Sequence, residues 1–280
     1  NHFVMTTTTA NAVTVFRHLE FCKQCLNPVW DVHLISTTDH WAQFAVAGPK
    51  SRKLLQEICD PKFDISNDKF PFMACGEINV LKGIPARLFR ISFSGELAYE
   101  IAIPRRYADF FIKEISEIGN KYNLVPYGTE ALGVMRIEKG HAAGNELNGQ
   151  TTANNLGLGK MVSKLNDCIG NTMSEREELN KENTLKLVGF IPTNKNQSLV
   201  AGSHFIDKGQ TENLENDQGW MSSVAFSPML KHSIGLGYII RGNQRYGEKV
   251  HAVNPLRKEI IEVEIHSPHF YDPEGELLRG

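Results

Sequence analysis

The feature that most narrows the fold is a change of period near residue 185. From Leu185 onward the chain is built of short strand-like segments, KLVGFIP, MSSVAF, SIGLGYII, EKVHAV and IIEVEI, set apart by polar stretches. In the last of these Ile261, Val263 and Ile265 alternate with Glu262 and Glu264, the pattern of a half-buried strand. Residues 193–218 are rich in Asn, Gln, Gly and Asp and read as turns and loops. An all-β, barrel-like domain over 185–280 is expected. The preceding residues mix two periods. Val15, Leu19, Cys22 and Leu26 repeat at helical spacing within a helix of about 11–26, and His2–Met5, DVHLIST and WAQFAVAG read as strands. Pro49 can open the helix SRKLLQEIC. ARLFRISF reads as a strand with Phe89, Ile91 and Phe93 on one face, and AYEIAI as another. Phe111, Ile115 and Ile118 mark a helix ended by Gly119-Asn120, and the Thr129 hydroxyl is placed to cap the helix TEALGVMRIEK. The fold class is α+β: a mixed domain over 1–180, a polar connection at about 170–184, then the β domain, with no internal repeat.

Charge and cysteine usage remove several function classes. Thirty Lys and Arg against 32 Asp and Glu leave a formal charge of −2, so the electrostatic reason to expect a nucleic-acid partner is absent. No apolar run approaches the roughly 18–20 residues of a membrane span, and the opening NHFVMTTTTAN lacks the basic and apolar regions of a signal peptide. Met5 lies inside the first expected strand, so the chain reads as a piece whose N-terminal part is missing. Five cysteines without a signal peptide fit a reducing, cytoplasmic compartment. Cys22 and Cys25 form a C-x-x-C, but no second pair completes a zinc set, and Pro268 disfavours His266 and His269 as ligands on one helix face. Buried helix cysteines and no metal are expected.

No nucleophile elbow, zincin motif or P-loop is present, and Gly157 and Gly159 lack the third glycine of a dinucleotide fingerprint, so neither NAD nor FAD is expected on these residues. The most informative position is Glu100, which strand alternation places on one face with Ala98 and Ala102. A planar ligand above those alanines could donate two parallel hydrogen bonds to the carboxylate. The competing possibility is a structural ion pair with Arg136, which sits among Val134, Met135 and Ile137. Periodicity alone favours the pair.

Longer blocks tip that balance. SFSGELAYEIAIP (92–104), YGTEALGVMRIEKG (127–140), LGLGKMVSKLNDCIG (156–170) and VAFSPMLKHSIGLG (224–237) resemble, in this order, the folate-binding aminomethyltransferase fold of the glycine cleavage T-protein. TTDHWAQFAVAGPKSR (37–52), FPFMACGEI (70–78) and FYDPEG (270–275) resemble more particularly the C-terminal portion of the alpha subunit of heterotetrameric sarcosine oxidase. The resemblance implies an enzyme that oxidises sarcosine to glycine at a flavin, with tetrahydrofolate capturing the one-carbon unit as 5,10-methylenetetrahydrofolate. It implies FAD, FMN and NAD elsewhere in the complex. The implied partners are the beta, gamma and delta subunits and the N-terminal part of the same subunit. Two alternatives stay open: a stand-alone aminomethyltransferase or demethylase of the same fold, and a non-catalytic folate-binding or assembly module.

Carried over residue by residue, the resemblance implies that Glu100 binds the 2-amino and N3–H edge of the pterin. Phe93 takes the place of a tyrosine and supplies aromatic packing, and Arg136 matches an arginine near the folate. Three departures stand out. The aspartate pair that T-proteins carry one strand before the first residue of this sequence has no counterpart, since no Asp-Asp occurs in the 280 residues. The A-R-D preceding their arginine helix is replaced by Thr129-Glu130-Ala131, and their L-Y-G-Q-D turn by Ala143-Gly144-Asn145-Glu146. No residue here is therefore assigned as catalytic.

Overall fold

The computed structural model describes residues 1–162 and 168–280. The expected LGLGKMVSKLNDCIG block lies partly outside the described residues, at 163–167. The chain forms two compact units, one comprising Asn1–Val46, Lys50–Ile91 and Tyr99–Leu124, the other Ala47–Pro49, Ser92–Ala98 and Val125–Gly280.

The first unit is built on a four-stranded sheet of β1 (Trp41–Ala47), β2 (Cys75–Val80), β3 (Ile84–Phe89) and β4 (Ala98–Pro104), in the order β1-β4-β3-β2. One face is closed: Tyr99, Ile101 and Ile103 of β4 are fully buried there. Phe44 of β1 meets Phe111 at 5.1 Å, and Arg52 donates to the Tyr99 hydroxyl at 2.9 Å. Those two contacts come from helices α3 (Ala108–Gly119) and α2 (Ser51–Ile58); α2 buries Leu54, Leu55 and Ile58. Strand alternation sends the intervening residues, Glu100 among them, to the other face. Helix α1 (Ala12–Phe21) continues as a π-turn through Cys22–Leu26.

Several expectations for this unit fail. His2–Met5 and DVHLIST find no partner strand among the described residues and remain irregular, because apolar character without a paired edge does not make a strand. The ARLFRISF strand stops at Phe89, so Phe93 lies beyond it. The helix cysteines are not buried: Cys22 is half-exposed and Cys25 exposed, since α1 buries no residue at all.

The second unit contains a closed barrel, β10-β5-β8-β7-β6-β9, formed by β5 (Leu185–Pro192), β6 (His204–Asp207), β7 (Gly219–Ser227), β8 (His232–Ile240), β9 (Lys249–Asn254) and β10 (Glu259–His266). The five expected strands are present. β6 is an addition inside the stretch read as loops, and it closes the barrel by pairing with both β9 and β7. Val263 and Ile265 are fully buried and Ile261 nearly so, with Phe190 stacked on Phe205 at 4.0 Å in the same core. Closure removes the free sheet edges that would otherwise template aggregation. Gly219 sits at φ +144°, where a Cβ would lie 1.9 Å from the Tyr238 carbonyl oxygen, so a side chain there would prise β7 from β8.

Helix α4 (Thr129–Lys139) packs on the outside of β7 and β8, with Ile137 joining Leu236 and Tyr238. Its bounds are those expected, but its N-cap is Gly128 and Thr129 makes no capping bond: Thr129 already has the first helical position, one residue too late to cap. Gly140 ends the helix at φ +78°, where a Cβ would lie 2.4 Å from the Pro268 carbonyl oxygen.

Candidate ligand-binding site

Glu100 is half-buried on the face of β4 opposite Tyr99, and strand register defines its neighbours. On β3, Phe89 stands directly across from Glu100 and Arg87 across from Ala102. Cys75 and Glu77 of β2 follow on the same face, paired with Phe89 and Arg87. From β1, the Gln43 amide donates to Glu100 Oε2, and Trp41 lies under the Arg87 guanidinium at 4.1 Å. The two alanines flanking Glu100 are present as expected, and both are buried.

The electrostatics of this carboxylate are unusual for a surface-facing group. Burial pushes its pKa above the ordinary carboxylate range, and the Gln43 hydrogen bond pulls it only part of the way back. Among the described residues no cation forms an ion pair with it. A desolvated carboxylate with spare acceptor capacity and no counter-charge is suited to a neutral ligand bearing adjacent N–H donors.

Arg136 has a different environment. It is 8% exposed, and its Nη1 donates to Glu146 Oε2 at 2.8 Å and to the His141 carbonyl at 3.3 Å, while Nη2 donates to Ser223 Oγ at 2.7 Å. The Glu146 carboxylate, wholly buried, also accepts from Ser222 at 2.5 Å, Ser223 at 2.6 Å and the Ala143 amide at 2.9 Å. Burial alone would raise this carboxyl. The two serine bonds, the Ala143 amide and the Arg136 charge together outweigh it and hold the group below the ordinary range. The buried Glu–Arg pair anticipated from the sequence thus exists, with Glu146 rather than Glu100 as its acid. Sequence reasoning missed Glu146 because two of its partners, Ser222 and Ser223, lie 76 and 77 residues away. The only local hint was an acidic residue in an otherwise small-residue turn, AAGNEL.

The same helix end buries two further charges: Glu138 accepts from Ser227 at 2.5 Å, and Lys139 pairs with Asp272 at 2.8 Å. This end of α4 is thus fastened to β7 and to the segment after β10 by three polar side chains.

Phe93 also belongs to the second unit. Its ring is 40% exposed and stacks on His141 at 5.9 Å, and the His141 Nδ1–H donates to the Phe93 carbonyl at 2.9 Å. Burial lowers the His141 pKa, opposed by the hydrogen bond to the Phe93 carbonyl. Among the described residues no group of three or more His, Cys, Asp or Glu side chains is placed to hold a metal ion, and no helix is long and apolar enough to cross a membrane.

Comparison with known proteins brings in a family. Residues 1–166 match the GCVT N-terminal domain and residues 186–272 the glycine cleavage T-protein C-terminal barrel domain. Sarcosine oxidase subunit alpha of Rhizobium meliloti (strain 1021) is 46% identical over 280 residues, which cover 99% of this chain and 28% of that protein. An aminomethyltransferase of Thermoanaerobacter sp. (strain X514) is 29% identical over 276 residues, 96% of this chain and 69% of the relative. Among solved structures, the glycine cleavage system aminomethyltransferase T from Bartonella henselae superposes with a TM-score of 0.71 at 21% identity, over 94% of this chain and 67% of that one, a likeness of fold. The chain thus spans under a third of the length of the sarcosine oxidase relative.

Proposed function

The chain belongs to the glycine cleavage T-protein family, and from that premise we propose that it is the tetrahydrofolate-binding module of a sarcosine oxidase. It captures the one-carbon unit of sarcosine demethylation as 5,10-methylenetetrahydrofolate. The observation that carries the proposal is Glu100: a half-buried, desolvated carboxylate between two buried alanines, with no ion-pair partner among the described residues. A carboxylate can accept in parallel from a pterin, whose ring N–H and adjacent exocyclic amine form a two-donor edge. The 46% identity to a sarcosine oxidase alpha subunit supports the choice of complex.

Within the proposal each residue has a limited task. Glu100 accepts the two N–H bonds and fixes the ligand's orientation. The Phe93 ring is exposed and stacks on His141. Arg136 is committed to Glu146 and Ser223, so it supports the α4 framework. Bound tetrahydrofolate supplies the amine nitrogens that take up the one-carbon unit. The protein's contribution is chiefly to hold a reactive electrophile and its acceptor together before water intervenes. FAD, FMN, NAD, the beta, gamma and delta subunits and the rest of the alpha subunit belong to the proposal as parts of the assembled enzyme.

The aminomethyltransferase alternative is favoured by a single observation, the 69% share of the Thermoanaerobacter enzyme that this chain covers. The other alternative is a non-catalytic folate-binding or assembly module. The assembled enzyme carrying Glu100→Gln separates them. We expect sarcosine oxidation to continue with formaldehyde released and methylenetetrahydrofolate lost. Equal loss of both activities would count against this division of labour.

A further inference from the structure

An ionised carboxylate offers about four lone-pair positions. One of those on Glu100 is occupied from the neighbouring strand by Gln43. Chemistry sets the direction of that contact, because only the NH2 end of an amide can face a carboxylate oxygen. Gln43 is itself exposed, so the bond is not a by-product of core packing.

We propose that Gln43 is the positioning residue of this site: its amide holds the Glu100 carboxylate in one orientation, so that the remaining lone pairs select a ligand with a ring N–H beside an exocyclic amine, as in a 2-amino-4-oxopteridine. The inference rests on Glu100 being the ligand-binding carboxylate. It goes further in naming what sets the selectivity. An isoalloxazine-type edge, with its N–H between two carbonyl groups, would bring oxygens against the oriented carboxylate and be rejected.

A second consequence concerns protonation. Burial raises the Glu100 pKa and the Gln43 hydrogen bond opposes it. The other titratable groups on this sheet face are Arg87 of β3 and Cys75 and Glu77 of β2. Arg87 is engaged with Trp41 at 4.1 Å and Glu77 at 3.8 Å. With the Gln43 donor removed, burial acts unopposed and the carboxyl protonates at higher pH. Ligand N–H groups need the ionised form, so binding would then fail at higher pH as the solution is acidified.

The test is calorimetric titration with tetrahydrofolate from pH 4.5 to 8.5 on the wild-type chain, Gln43→Met and Glu100→Gln. Methionine keeps the length and removes the donor at an exposed position. We expect Gln43→Met to bind about tenfold more weakly at neutral pH, the size of one charge-assisted hydrogen bond. Its acid midpoint should also move to higher pH than in wild type. Wild-type affinity with an unmoved midpoint in Gln43→Met would overturn the role of Gln43, while loss of binding in Glu100→Gln would leave the site itself standing. Undiminished binding in Glu100→Gln, or none in wild type, would overturn the site and this inference with it.

Discussion

Two carboxylates on this chain are both withdrawn from water, and they are handled in opposite ways. Glu146, in the unit that contains the barrel, accepts from Arg136, Ser222, Ser223 and a backbone amide and is held below its ordinary pKa. Glu100, on the sheet of the other unit, accepts from Gln43 and is pushed above it. A buried acid whose acceptors are all filled is framework. A buried acid left with spare acceptors costs stability, and its retention is explained by what it binds.

That contrast can be broken most forcefully at Glu146. Glu146→Ala strands Arg136 in a buried site, so the unfolding free energy should fall by about 3–5 kcal/mol, measured by chemical denaturation. A fall under about 1 kcal/mol would mean the pair is not the framework described. Ser223→Ala, which removes a hydroxyl bridging both partners, should cost about 1–2 kcal/mol in the same assay. Glu100→Gln should cost no more than about 0.5 kcal/mol, the range of an ordinary surface change, because it removes a penalised charge. A large loss there would make Glu100 structural as well.

The effect of acid sharpens the same comparison. Glu146 has a depressed folded pKa, so its contribution is fully present above its ordinary value of 4.5 and is lost as pH falls below it. Glu100 has a raised folded pKa, so the ionised form needed for ligand disappears at a higher pH. On acidification, folate binding should therefore fail before the Glu146 stabilisation does. Binding that persists until the protein unfolds would remove the distinction between the two acids.

What the sequence made legible follows from where each signal is stored. The barrel strands carry their own signature, since Ile261, Val263 and Ile265 alternate with glutamates whatever lies across from them. β6 escaped because HFID is four residues long and set among turn-forming residues, and its strand character comes from β9 and β7. His2–Met5 shows the reverse error, an apolar run without a paired edge. Cys22 and Cys25 keep helical spacing but lie in the π-turn after α1, and neither element buries a residue. At the site, alternation along β4 was enough to isolate Glu100 between Ala98 and Ala102. Whether Arg136 would pair with Glu100 or with another acid depended on partners such as Ser223, dozens of positions away, and no local pattern encodes that. Gln43 was likewise invisible, since its relation to Glu100 spans 57 residues and exists only once β1 lies beside β4.

The most direct test of the central claim is titration of the wild-type chain and Glu100→Gln with tetrahydrofolate at neutral pH. Two charge-assisted hydrogen bonds are at stake, so affinity should fall by about a hundredfold in the variant while its melting temperature holds. Equal affinity in the two proteins would contradict the account and return Glu100 to the background of the sheet.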